Sequence, residues 1–162
     1  MQTRIDFLKV SPAAMKTMLD MEAYLARSSI ERPLLHLIKM RVSQINGCTY
    51  CLDMHSKDAR NEGETEQRLY ALDAWREAPF YSARERVALA WAEALTLVSE
   101  THVPDAEFEA ARAEFSESEL VDLSLAVVAI NGWNRLSIGF RAQAGTYRPP
   151  AAARMSSAAA AH

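Results

Sequence analysis

Apolar residues recur at helical spacing over most of the chain, and strand-like alternation is nearly absent. A first helix is expected over 12–26, with Ser11 as cap, Pro12 at its first position, and Met15, Met18, Leu19 and Met21 or Tyr24 along one side. A second is expected over 32–44, where Leu34, Leu35, Ile38 and Val42 point inward, before Asn46-Gly47 breaks the chain. A third begins near Cys48 and ends before Gly63, a residue suited to the left-handed position after a helix. The pattern predicts a fourth helix over 66–75, stopped by Pro79, and a fifth opened by the capping box Ser82-Ala83-Arg84-Glu85 and reaching about Val98. Pro104 and Asp105 start a short sixth helix ending near Phe115. Ser116-Glu117-Ser118-Glu119 is a second capping box and opens a last helix over 120–140. That helix is apolar on nearly every side until Asn131, so it is expected to be the central buried one. The chain reads as all-α, a bundle of about seven helices.

Composition adds limits. The 162 residues suit one domain, placed at 1–148, with 149–162 an Ala-rich, flexible tail that has little to bury. At 49% hydrophobic and 24% charged, the chain can form a core without disulfide staples. The 18 basic and 21 acidic residues include no basic block, so a nucleic-acid partner is not expected. The start of the chain carries Arg4, Asp6 and Lys9, unlike a secretory signal. The longest apolar stretch, 123–130, is far short of the roughly 20 residues that span a bilayer. The expected location is the cytoplasm, where thiols are kept reduced. Two cysteines three positions apart then suggest redox or metal chemistry before a structural bridge.

The candidate chemistry lies in Cys48-Thr49-Tyr50-Cys51, with His55 one turn further on. A nucleophilic cysteine must ionise, and a free thiol has a pKa near ~8.5. Unpaired N–H groups and the dipole at a helix start favour the thiolate. Positions i and i+3 share a face, so the two sulfurs can form a disulfide. His55 follows on the same stripe, where an imidazole can take the thiol proton or hold a thiolate as an ion pair. By the helix-start argument alone, Cys48 is the better nucleophile. Two other readings stay open: a metal site of Cys48, Cys51, His55 and His36, or inert buried cysteines.

Around these residues the sequence resembles the alkylhydroperoxidase D (AhpD)-like group of the carboxymuconolactone decarboxylase superfamily. The resemblance rests on Ser43-Gln44-Ile45-Asn46-Gly47-Cys48, then Cys51 and His55, with further similarity in Glu85-Arg86-Val87-Ala88-Leu89-Ala90-Trp91 and in Ile130-Asn131-Gly132-Trp133. It spans about residues 12–142. It implies an AhpD-like helical fold that assembles as a homo-oligomer (trimer, hexamer or dimer), and a peroxidase that needs no cofactor. The implied partners are a hydroperoxide substrate and an external dithiol reductant. The implied roles are Cys51 as the peroxide-attacking sulfur, Cys48 as the resolving one and His55 as the assisting base. His36 stands where family members commonly carry a relay glutamate, and Tyr50 where a second relay histidine is common. Imidazole can still pass protons near neutral pH, so His36 joins the candidate residues.

The competing functions are a non-peroxidase redox or metal-responsive CxxC protein, and decarboxylation of a muconolactone-like substrate. Among other residues, Glu85 reads first as part of its capping box and second as a substitute carboxylate near the thiols. Glu93 and Arg135 are expected to pair near Asn131 and Asn134. The tryptophans Trp75, Trp91 and Trp133 are expected in the core, and Met15, Met18, Met21 and Met40 in the core or a subunit interface.

Overall fold

Helical periodicity translates into helices throughout residues 2–150, the part of the chain that this computed structural model describes. In chain order they are α1 (Phe7–Val10), α2 (Pro12–Leu25), α3 (Arg32–Asn46), α4 (Thr49–Asn61), α5 (Glu66–Tyr70), α6 (Ala83–Thr96), α7 (Val98–Thr101), α8 (Asp105–Glu114) and α9 (Glu117–Phe140), with a 3₁₀ turn at Leu72–Ala74. No strand occurs among the described residues. The all-α expectation holds, with nine helices among the described residues rather than about seven. The expected tail falls, from residue 151 onward, outside the described residues.

The longer expected helices form where apolar spacing and end signals coincide. Both capping boxes are made: Ser82 and Ser116 accept from the backbone N–H of Glu85 and Glu119, whose carboxylates reach back to the cap N–H groups. Arg84 adds to the second, so Glu119 is pulled down to about 2 by the Ser116 backbone N–H and then by the guanidinium.

Three expectations change in detail. The fourth helix stops at Tyr70 and a 3₁₀ turn follows, after which Arg86 on α6 donates to the Trp75 and Arg76 carbonyls (3.1 Å each) and to that of Ala78. Those carbonyls are bound by a distant side chain, so this segment turns without continuing an α-helix. The fifth helix divides at Leu97, where the Thr101 hydroxyl folds back to the Ala94 carbonyl at 2.7 Å. The extra turn, α1, is capped by Asp6 and leans on the end of α9, with the Phe7 and Phe140 rings 5.8 Å apart.

The core is shared between α3 and α9. Helix α3 packs against α4, α6 and α9, and buries Leu34, Leu35, Leu37, Ile38, Met40 and Val42. Helix α9 packs against α2, α3, α4, α6 and α8. It is not buried all round: Val121 is 67% and Val128 58% exposed, one side being left uncovered by the described residues. Gly132 lets α2 lie close on α9, since a Cβ there would stand 2.9 Å from Met18 Cε. Each fully buried leucine or isoleucine, such as Leu37, Leu89 and Ile130, contributes about 1.5–3 kcal/mol of burial free energy. The consequence for function is a rigid junction where α3 ends and α4 begins.

Candidate active site

Helix α3 ends at Asn46, and Gly47 takes the left-handed conformation (φ 68°) that the chain needs to reverse. The Cys48 N–H then caps back to the Ser43 carbonyl at 3.0 Å. Cys48 becomes the N-cap of α4, and its Sγ accepts from the Cys51 N–H at 3.4 Å. Cys51 is the third helical residue, so both sulfurs sit in the positive field of the helix start, as expected. The two are joined as a disulfide, with Cα atoms 5.4 Å apart. Both are buried, at 1% exposure.

An amide network holds this junction from the α9 side. Asn46 Nδ2 donates to Asn131 Oδ1 (3.0 Å) and Asn134 Oδ1 (2.8 Å). Asn134 Nδ2 donates in turn to Ser43 Oγ at 3.0 Å. The residue two positions before Cys48 is therefore tied to the neighbouring helix.

Cys51 opens on a cavity of about 320 Å³. Its apolar walls include Phe7, Leu8, Leu19, Met54 and Trp133, so Trp133 is a cavity wall as well as a packing residue. The polar lining includes His55, Lys39, Glu22, Tyr50, Asp58 and Tyr147. Glu22 anchors this side, accepting from Lys39 Nζ at 2.5 Å and from Trp133 Nε1 at 3.1 Å. The segment after α9 brings Tyr147 over the site: the Gly145 N–H donates to Asp53 Oδ2 (3.0 Å) and the Tyr147 hydroxyl to Asp58 Oδ1 (2.7 Å). Burial and that bond push the Tyr147 phenol up to about 12. Burial, then Asp53 and Asp58, also raise Tyr50. Both phenols therefore remain protonated, Tyr147 with its O–H committed to Asp58.

His55 is buried, and neither ring nitrogen meets a protein hydrogen-bond partner. Burial first, then the charges of Lys39 and His36, hold its pKa well below the ordinary imidazole range. The ring is neutral at neutral pH. Once the disulfide is opened, a neutral imidazole here can take a proton from a thiol.

His36 lies in a second, smaller cavity of about 90 Å³, which shares Glu22 and Lys39 with the first. Its Nε2 stands 3.1 Å from Glu62 Oε2, at ion-pair distance but outside hydrogen-bond geometry. Glu62 is lowered first by its bond from Arg32. Of the four candidate residues, the fold thus brings Cys48, Cys51 and His55 together, and sets His36 behind the Glu22–Lys39 pair. Among the described residues no group of three or more His, Cys, Asp or Glu side chains is placed to hold a metal ion. The cysteines of the considered Cys2His2 set are paired with each other.

The carboxylates lining the Cys51 cavity are those of Glu22 and Asp58, not that of Glu85, which bonds to Arg68 and its own capping box. Glu93 does not pair with Arg135. It accepts from Arg41 (2.7 Å), Arg76 (2.6 Å) and Trp75 Nε1 (2.8 Å), while Arg135 donates to Asn131. Burial raises the Glu93 pKa, but the tryptophan and the two guanidinium groups outweigh it and leave the pKa lowered.

Residues 12–94 match the model of the carboxymuconolactone decarboxylase family. The chain belongs to that family. Within it the fold is AhpD-like. The uncharacterized protein YdfG of Bacillus subtilis is 49% identical over 138 residues, covering 85% of this chain and 94% of its own. A solved Agrobacterium tumefaciens protein, ATU0492, described as a candidate antioxidant defence protein AhpD, superposes with a TM-score of 0.87 at 44% identity. That similarity covers 90% of this chain and all of the other. An AhpD-core, peroxidase-related protein of Ralstonia eutropha JMP134 shares the fold, with a TM-score of 0.76 over 86% of this chain and 74% of its own, at 19% identity. The two solved proteins share this helical frame, and in this chain it carries a Cys48–Cys51 disulfide.

Proposed function

We propose that the chain is a thiol-dependent peroxidase of the alkylhydroperoxidase type. The observation that carries this reading is the opening of the Cys51 side of the disulfide, with neutral His55, on a walled cavity. In the reduced protein, His55 takes the Cys51 proton, and the thiolate attacks the O–O bond of a hydroperoxide. The sulfur becomes a sulfenic acid, and the alkoxide leaves with a proton supplied by the imidazolium. The Cys48 sulfur then attacks the sulfenic sulfur, its thiol proton passes through His55 to the departing hydroxide, water leaves, and the disulfide closes. An external dithiol reopens it by exchange. In this cycle His36 stands behind the Glu22–Lys39 pair and beside Glu62, and Glu22 fills the space beside the thiols with a carboxylate from another helix. Burial of both sulfurs protects the sulfenic form from further oxidation. Peroxide-dependent oxidation of dithiothreitol tests the reading: wild type should turn over and Cys51→Ser should not. Equal, slow peroxide loss from both proteins would end it.

The same reading has the protein act as a homo-oligomer. Support comes from the uncovered Val121 and Val128 on α9, a hydrophobic stripe of the kind that subunit contacts cover. Light scattering of the purified chain measures the subunit number.

A further inference from the structure

The two sulfurs do not share one opening. Cys51 faces the cavity described above, whereas Cys48 lines a separate groove of about 360 Å³. The groove's other lining includes Thr49, Ile138, Arg141 and Ala142. Tyr50 and Ser137 line both spaces and form the partition between them. Arg141 terminates α9 in a left-handed conformation (φ 56°). Its guanidinium has no ion-pair partner among the described residues.

We infer that the Cys48 groove is the reductant's site, taking the thiolate of a small dithiol that attacks Cys48, while peroxide reaches Cys51 from the other side. The inference rests on the proposed cycling of the pair. Thiol–disulfide exchange needs the incoming thiolate, the attacked sulfur and the leaving sulfur nearly in line. A thiolate arriving from the groove meets Cys48 with Cys51 behind it, so the displaced Cys51 thiolate appears beside His55, where the peroxide step begins. The balance is simple. The first reductant thiolate bonds to Cys48 Sγ and the Sγ–Sγ bond breaks. The second reductant thiol loses its proton and closes on the first sulfur, releasing Cys48 as a thiolate. Two electrons pass to the protein and a cyclic disulfide leaves. Arg141 supplies charge for an approaching anion. The 1% exposure of Cys48 suits a small reductant rather than a thiol fixed on a broad protein surface.

The two half-reactions separate the two openings. Oxidised protein is mixed with dithiothreitol, and reduced protein with peroxide, each followed by intrinsic fluorescence in stopped flow. Ala142→Trp, and independently Ile138→Trp at a half-exposed position, should slow reduction by at least about tenfold and leave oxidation unchanged. Leu19→Trp, in the cavity wall, should do the reverse. Arg141→Gln should slow reduction about threefold to tenfold at low salt, and Arg141→Lys should restore most of it. If both groove variants slow the two half-reactions alike, or slow neither, a single shared opening is established and the inference is overturned. It is also overturned if a thioredoxin-type protein outpaces dithiothreitol and both groove variants leave its rate intact. If no peroxide turnover exists but reduction alone responds to the groove variants, the groove stands and the peroxidase reading falls.

Discussion

A buried, neutral His55 should make the protein lose stability faster than its other groups require when the pH falls below neutrality. In the unfolded chain this ring titrates near ~6.5, while in the folded chain it stays neutral well below that value. Below about pH 6.5 the unfolded state therefore binds a proton that the native state refuses, and stability falls with falling pH. Integrating that one-proton difference between pH 7.5 and 5.5 gives a loss of about 1.4 kcal/mol, provided the native ring remains neutral across the window. With an m-value of about 2 kcal/mol/M, the urea midpoint moves by about 0.7 M. The perturbation is His55→Phe, which keeps a ring of similar size and removes the titration. Urea unfolding, followed by far-UV circular dichroism without reductant, is measured at both pH values for both proteins. The carboxylates and remaining histidines contribute to both, so the difference between the two losses isolates His55. Wild type should lose about 1.4 kcal/mol more than the variant. Equal losses would refute the reasoning, and would mean that the buried ring accepts a proton as readily as one in water.

Other expectations follow from particular contacts. Glu93→Ala removes the shared acceptor of Arg41, Arg76 and Trp75 Nε1 while Arg41 keeps Asp73, and should lower unfolding free energy by about 1–3 kcal/mol in urea titrations. Gly47→Ala places a Cβ in open space but on a left-handed backbone, so a loss of about 1–2 kcal/mol is expected from conformation alone. Glu22→Gln and Lys39→Met should move the thiol pKa of the reduced protein in opposite directions, the first downward and the second upward, by on the order of one unit. Thiolate absorbance at varied pH reads that difference, and shifts of the same sign would rule out a direct charge effect.

The parts of this molecule that depend on near neighbours in sequence are the parts the sequence discloses. The two capping boxes, the Asn46-Gly47 break and the i, i+3, i+7 spacing of Cys48, Cys51 and His55 all act within a turn or two, and all are found as expected. The path of the chain after the fourth helix was not legible, because Arg86 of another helix binds the Trp75 and Arg76 carbonyls there. The Glu22–Lys39 pair has no local signature either: the two lie 17 positions apart on separate helices and read as ordinary surface charges. Only the packing of α2, α3 and α9 turns them inward with Trp133. The position of His36 behind that pair, and the bond of Glu93 to Arg41 rather than Arg135, likewise depend on which helix faces meet. The uncovered side of α9 has the same origin, since an apolar residue looks alike in sequence whether its own chain covers it or not.

The clamp of Asn46 onto Asn131 and Asn134 has a thermodynamic consequence. It holds the backbone leading into Gly47, so the making and breaking of the sulfur–sulfur bond falls on χ rotations at Cys48 and Cys51. Such a change conceals and uncovers little apolar surface, and heat capacity tracks surface. Oxidised and reduced forms should then have closely similar heat capacities of unfolding. Their difference in stability would stay nearly constant in form with temperature, set by the cross-link itself rather than by any rearranged hydration.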